Sequence, residues 1–184
     1  MDNPYLSQAA VFLIDTLFGL YIFAVMLRFL MQWARVDFYN PLAQFLVKAT
    51  NPPLIPLRRV IPGLGGIDLA AVVLLIGLQV LDLVLINLAF GRMSSTEGIL
   101  VTAVGQLIST LITLYFVTIL VEVVLSWVAQ GSYNPFVYMV HQLNQPLLAP
   151  ARRLIPPMGG MDLSPVVVMI VLQLAKILLV APLL

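Results

Sequence analysis

The sequence predicts an all-α integral membrane protein: four transmembrane helices arranged as two parallel two-helix repeats, each with a short amphipathic interfacial helix. Three observations carry that prediction: the composition, four apolar stretches of spanning length, and a self-match at one fixed offset. Of 184 residues, 61% are hydrophobic and 9% charged, with a mean hydropathy of +1.06. A soluble domain carries about 25% charged residues, so this chain has too few charges to clothe a water-facing surface. Disorder fails on the same composition, because disordered chains are charged and poor in large apolar side chains. A net charge of +1 offers no footprint for nucleic acid. With no cysteine and the single histidine His141, thiolate metal sites, disulfides and multi-histidine metal sites within this chain are excluded. The expectation is no metal, no cofactor and no enzyme, since neither a phosphate loop nor a nucleophile–histidine constellation is present.

A helix crosses a ~30 Å hydrocarbon core with about 20 apolar residues. The first span is expected at Ala9–Trp33. Its flank Met1-Asp2-Asn3-Pro4 lacks the cationic start of a cleaved signal peptide, and no small-x-small site closes it, so it is expected to remain. The remaining spans are expected at Leu69–Phe90, Ile99–Trp127 and Leu163–Leu184. Between the second and third, Gly91 is expected to end one helix. Ser94-Ser95-Thr96-Glu97 reads as a capping box that starts the next, with Ser94 as the cap.

Orientation follows from the connections. The loop after the first span carries Arg35, Lys48, Arg58 and Arg59, and the loop after the third carries Arg152 and Arg153. The turn between the halves carries only Arg92, and neither terminus has a side-chain cation. The positive-inside rule therefore places the two long loops in the cytoplasm and both termini on the periplasmic side. Trp33 and Trp127 occupy matching places near the cytoplasmic interface.

The match between halves needs no gap. Asn40-Pro41 recurs as Asn134-Pro135, an offset of 94 (134 − 40). The same offset carries Trp33 to Trp127, Tyr39 to Tyr133, Pro52 to Pro146, and Pro56 to Pro150. It also carries Arg58-Arg59 to Arg152-Arg153, Gly65-Gly66 to Gly159-Gly160, Asp68 to Asp162 and Gln79 to Gln173. Residues 1–93 and 94–184 are thus expected to be two copies of one unit. Two spans per copy give both copies the same orientation, related by a pseudo-twofold axis along the membrane normal.

Inside each loop, Asn40 or Asn134 is placed as a helix cap and Pro41 or Pro135 at the first helical position. Leu42, Phe45, Leu46 and Ala49 then form an apolar stripe, as do Phe136, Met139, Val140 and Leu143 in the second copy. Asn51-Pro52-Pro53 and Gln145-Pro146 are expected to stop these helices. Gly65-Gly66 and Gly159-Gly160 are expected to turn the chain back, and Asp68 and Asp162 to cap the following spans.

The doubled Trp … Tyr-Asn-Pro … Pro-x-Arg-Arg-x-Ile-Pro-x-x-Gly-Gly-x-Asp pattern resembles the bacterial YggT family of inner-membrane proteins, also called YlmG, over nearly the whole chain. The departures are Gly63 against Pro157 and Ala70-Ala71 against Ser164-Pro165. The resemblance implies a multi-spanning inner-membrane protein associated with osmotic-stress tolerance and cation uptake. For plastid and cyanobacterial relatives it implies cytochrome b haem assembly or nucleoid and division organisation. It carries over no catalytic residue.

Asp15, Arg28, Asp82, Glu122 and Lys176 lie within the expected spans, each costing about 2.5–3.5 kcal/mol near a helix centre. Arg28 matches Glu122 and Asp82 matches Lys176 at the repeat offset, with opposite signs at equal depth. The expectation is therefore an Arg28–Glu122 and an Asp82–Lys176 bridge across the pseudo-axis, with Asp15 as a second partner for Lys176. Two functional readings follow. In one, these pairs are structural glue in an assembly or membrane-organising factor that contacts lipid, a second copy or another membrane protein. In the other, Gln79, Asp82, Gln173 and Lys176 line a path for potassium or protons in an oligomeric channel or transporter. Arg58, Arg59, Arg152 and Arg153 are either positive-inside anchors or contacts for anionic phospholipid headgroups. His141, facing Val47 in the other copy, is expected to be a solvated or interfacial side chain.

Overall fold

A computed structural model describes residues 4–91, 94–128, 134–155 and 162–183. The chain forms α1 (Pro4–Trp33), α2 (Pro41–Val60), α3 (Leu69–Ala89), α4 (Thr96–Val128), α5 (Pro135–Leu154) and α6 (Ser164–Ala175). From α6 it continues through a π turn at Lys176–Val180 and a 3₁₀ turn at Ala181–Leu183. The helices α1, α3, α4 and the 164–183 stretch are long and apolar enough to cross a bilayer, which are the four spans the sequence predicts. Arg92, Tyr133, Gly159 and Gly160 lie outside the described residues.

The helices of each repeat are unequal, and that inequality organises the fold. α1 and α4 have 30 and 33 residues, whereas α3 has 21. At 1.5 Å per residue these are about 45, 50 and 31 Å, against a hydrocarbon core of ~30 Å. α1 and α4 are thus several turns longer than a crossing requires, and α2 is laid along the last turns of α1. The Tyr21 hydroxyl meets the Ala49 carbonyl, Arg28 meets Thr50, and Arg58 meets Gln32.

One apolar cluster joins Ile22, Val25, Met26 and Leu30 of α1 to Ala43 and Leu46 of α2, Leu107 and Leu114 of α4, and Met139, Val140 and Leu143 of α5. Both interfacial helices therefore enter a common core. Their starts touch directly, the Asn40 amide donating to the Pro135 carbonyl at 2.9 Å, and in the connection before α2 the Asp37 N–H donates to Gln142 Oε1 of α5 at 3.1 Å. α1 and α4 deliver the chain to this same end. α4 packs against α1, α3, α5 and α6 and is the hub of the bundle.

The interfacial helices differ from expectation in length and in face. α2 does not stop at Pro52-Pro53 but continues to Val60, and α5 runs through Pro146 and Pro150 to Leu154. A proline removes an N–H and so frees the carbonyl four residues earlier. Pro53 frees the carbonyl of Ala49, and the Tyr21 hydroxyl occupies it at 3.4 Å. The buried face of α2 is Ala43, Leu46, Thr50 and Leu54, whereas Leu42 and Phe45 are exposed. In α5, Met139, Val140 and Leu143 are buried as expected, together with Asn144 and Leu148, while Phe136 is exposed. The packed face carries small Ala43 and polar Thr50 because it must approach α1 closely and accept Arg28.

The caps follow from local chemistry. Asn40 accepts from the Leu42 N–H and Asn134 from the Phe136 N–H, each at 2.9 Å, with Pro41 and Pro135 at the first helical positions. Asp68 caps α3 by accepting from Ala71 N–H, whereas Asp162 is not the expected cap of α6: it lies one residue before the cap position, Leu163, and accepts from the first helical N–H, Ser164. Gly65 and Gly66, at φ +62° and +87°, form the tight turn closed by two hydrogen bonds between Leu64 and Ile67. The cap of α4 is Ser95, not Ser94: Ser95 Oγ accepts from Gly98 N–H, and the Ser94 hydroxyl donates to Asn87 of α3 instead. That register puts Gly98 where the capping box needs a glutamate.

α1 ends in a Schellman turn. Val36 N–H donates to the Met31 carbonyl and Arg35 N–H to that of Gln32, while Arg35 sits in the left-handed region at φ +54°. A non-glycine residue there costs about 1 kcal/mol. Arg35→Gly is therefore expected to raise the unfolding midpoint in detergent, by up to about 1 kcal/mol in stability, whereas Arg35→Ala, which keeps the strain, should not. Equal midpoints for the two variants would refute the strain at this position.

Candidate functional site

Polar residues gather at two levels, a collar where the interfacial helices meet the spans and a smaller cluster deeper between α3 and α4. The collar is built from positions that correspond between repeats. Arg28, 5% exposed, donates through Nη1 to Thr50 Oγ1 at 2.6 Å and to the Val47 carbonyl at 3.4 Å. The Thr50 hydroxyl in turn donates to the Leu46 carbonyl at 2.6 Å. In the second repeat, Glu122 accepts from Asn144 Nδ2 at 2.8 Å, and its other oxygen meets His141 Nδ1 at 2.8 Å. Asn144 Oδ1 accepts from the Thr118 hydroxyl at 2.8 Å. Thr50 and Asn144 are themselves 94 apart (144 − 50). The same two positions thus join span to interfacial helix twice, with donor and acceptor exchanged.

This corrects the expected Arg28–Glu122 bridge. Equal depth in a parallel repeat does not bring two side chains face to face, and each charge finds its partner on the helix packed against its own span. His141 stays 43% exposed, as expected of a solvated or interfacial side chain, and also joins the network between Glu122 and Gln145.

A second corresponding pair lies just outside. Arg58 Nε donates to Asp68 Oδ2 at 3.1 Å, Arg58 Nη2 also contacts that oxygen, and the guanidinium reaches Gln32 Oε1 at 3.2 Å. Arg152 Nε donates to Asp162 Oδ2 at 2.8 Å, and its Nη2 stands 3.6 Å from Glu122 Oε1. The first arginine of each pair thus ties the interfacial helix to the aspartate that precedes the next span, while Arg59 and Arg153 are exposed. Burial pushes the Asp162 carboxyl up, but hydrogen bonds from Arg152 and Ser164 outweigh it and hold the carboxyl below its ordinary value of 3.8.

A cavity opens beside each collar. That of the first repeat, about 500 Å³, is lined by Arg28, Gln32, Gln44, Lys48, Asn51 and Arg58, among others. That of the second, about 440 Å³, is lined by Glu122, Ser126, Tyr138, His141 and Arg152 with Asn134 and Val137.

In the deeper cluster, Gln79 Nε2 donates to Gln106 Oε1 at 2.7 Å and to Asp82 Oδ2 at 3.2 Å. Asp82 Oδ1 is buried without a hydrogen-bond partner among the described residues, and Asp15 lies within electrostatic reach of Asp82. Lys176 Nζ donates to Thr113 Oγ1 at 3.0 Å, and Gln173 is exposed on α6. The expected bridges from Lys176 to Asp82 and to Asp15 are therefore not formed. α4 packs against both α3 and α6, and its own Gln106 and Thr113 take up Gln79 and Lys176. Thr50, Asn144, Gln106 and Thr113 went unnoticed in the sequence. Only Thr50 and Asn144 carried a signal there, as polar residues at one repeat position.

The CCB3/YggT family model matches this chain twice, over residues 7–89 and 101–183. An uncharacterised protein of Pseudomonas aeruginosa is 45% identical over 177 residues, covering 95% of this chain and 90% of its own. The uncharacterised protein of the proC 3′ region of Vibrio alginolyticus is 48% identical, covering 91% of each chain. The uncharacterised protein YggT of Escherichia coli K12 is 42% identical, covering 88% of this chain and 84% of its own. No solved structure matches the chain significantly.

Double-mutant cycles in detergent should give Glu122 and Asn144 a coupling within the ~0.5–3 kcal/mol range of contacting residues, and Arg28 and Glu122 a coupling below about 0.5 kcal/mol. A large Arg28–Glu122 coupling would contradict the geometry. Because the Asp162 carboxyl is held low, its stabilisation is fully present above the ordinary carboxylate value and drains away as pH falls through the native value. Asp162→Asn should therefore flatten the acid limb of the stability profile; an unchanged limb would show that Asp162 contributes nothing there.

Proposed function

The chain belongs to the CCB3/YggT family, and from that premise we propose that it works as a non-enzymatic membrane-organising or assembly factor of the bacterial inner membrane. The observation that carries this reading is the twofold anchoring of the interfacial helices. α2 and α5 are tied to their spans by the same positions in both repeats and share one core. Such anchoring builds a stiff platform out of two helices that, free, would slide on a bilayer surface. Outward from that platform point Phe45, Tyr39, Ile55 and Val60 of the first repeat and Tyr138 and Leu154 of the second, all exposed. These are side chains suited to the acyl–headgroup boundary or to another membrane protein.

In this proposal the two halves, residues 1–93 and 94–184, are the structural units. The diarginine loops face the cytoplasm, the termini face the periplasm, and the platform lies in the inner leaflet. Its service in osmotic-stress adaptation is part of the same proposal. The partners are the bilayer, anionic phospholipids, and a second copy or another membrane protein.

A second reading rests on Asp82. A buried carboxylate oxygen without a partner among the described residues, with Asp15 nearby, is what a cation or proton site at membrane depth requires. A single bundle of four spans has little room for a private pore, so this reading needs an oligomer. Purified protein in liposomes separates the two. The organising role predicts potassium and proton flux equal to that of empty vesicles. Flux above that level, abolished by Asp82→Asn, would overturn it in favour of transport.

A further inference from the structure

The two collar cavities occupy corresponding places but differ in charge: three cations line the first, whereas Glu122 and Arg152 offset each other in the second. At the first, Arg28, Lys48 and Arg58 face one space, no carboxylate is among its described lining residues, and nearby Asp68 is engaged by Arg58. At the matching positions 94 residues on stand Glu122, Gln142 and Arg152, and Glu122 is saturated by His141, Asn144 and Arg152. The second repeat balances its own charge. The first does not.

Arg28 is the centre of that imbalance. It is buried, it donates through Nη1 to two neutral acceptors, Thr50 and the Val47 carbonyl, and it forms no direct ion pair among the described residues. A guanidinium has five N–H donors in a planar fork, so most of its donating capacity is left for the cavity. Asp68 lies within electrostatic reach of Arg28 but is engaged directly by Arg58; desolvating a cation without a counter-charge of its own costs several kcal/mol, and a bound anion supplies that charge. Around the same space Gln32, Gln44 and Asn51 add neutral amide donors.

We propose that the first-repeat cavity is a binding site for a phosphate-type oxyanion, held by Arg28, Lys48 and Arg58, and that the second-repeat cavity is not. Arginine forks match phosphate oxygens in bidentate fashion, and Lys48 adds a point charge. The cavity lies between the last turns of a spanning helix and an amphipathic helix, which is where lipid headgroups reside, so the phosphate of an anionic phospholipid is the occupant the position favours. The site stands whether or not the organising role does, since vesicle flux leaves it untouched.

The test uses the full chain in detergent. The probes are phosphatidylglycerol, phosphatidylcholine and inorganic phosphate, read by native mass spectrometry and thermal shift. The expected result is retention of phosphatidylglycerol over phosphatidylcholine. Lys48→Gln, at an exposed position that should not disturb folding, should weaken that retention about fivefold, the effect of one cation near an anionic headgroup. Arg153→Gln, the same charge change away from both cavities, should leave it unchanged. Arg28→Gln should abolish retention; if that variant fails to fold, Lys48→Gln decides. Stabilisation by inorganic phosphate that is equally sensitive to Lys48→Gln, without preference for phosphatidylglycerol, would uphold the oxyanion site and assign it a soluble ligand. Equal loss from Lys48→Gln and Arg153→Gln would mean diffuse surface attraction and overturn the proposal, as would no response to any of the three probes.

Discussion

The structure depends on how each interfacial helix is fastened to the long span before it. A charge placed on a helix wall near the bilayer costs several kcal/mol unless a partner meets it. Here the partner is a buried polar side chain in the middle of the interfacial helix, Thr50 for Arg28 and Asn144 for Glu122. Once that hydrogen bond is made, the face of α2 or α5 that packs inward is settled. The small and apolar residues flanking Thr50 and Asn144 then fall against α1 and α4, and the core closes over them. The excess length of α1 and α4 supplies the wall on which this can happen.

Duplication preserved that arrangement while changing its chemistry. Arg28 with Thr50 and Glu122 with Asn144 solve one problem with donor and acceptor exchanged. A similar divergence shows at Tyr21 and Tyr115, 94 apart (115 − 21). The Tyr21 hydroxyl uses the carbonyl that Pro53 releases. The counterpart of Pro53 is Leu147, which keeps its N–H and can hold the Leu143 carbonyl inside the helix. The Tyr115 hydroxyl accordingly stands buried without a partner among the described residues. One proline thus decides whether a tyrosine on the neighbouring span is satisfied.

α4 separates the polar groups that the repeat alone would bring together. It packs against both α3 and α6, and Gln106 and Thr113, which have no polar counterparts in α1 at Phe12 and Gly19, take up Gln79 and Lys176. The repeats correspond in sequence, but the contacts between them belong to the one helix that must face both neighbours. Asp82 is left with an oxygen that has no partner among the described residues, and Lys176 is held where the last span passes from α-helix into a π turn.

Local chemistry was legible in the sequence wherever it needed only neighbours along the chain. The four spans, the caps at Asn40, Asn134 and Asp68 and the Gly65-Gly66 turn all follow from composition, spacing or a single dihedral preference. The Ser94 cap missed by one residue because Asn87, on another helix, competes for that hydroxyl. The extent of α2 and α5 was hidden because their prolines argue for a stop, and only a neighbouring span shows where the freed carbonyls go. The buried face of α2 and every partner of an intramembrane charge were decided by tertiary packing. The repeat offset specifies how deep a side chain lies, whereas a hydrogen bond also requires the azimuth around each helix axis. That angle is set only when α1, α2 and α4 close on a common core.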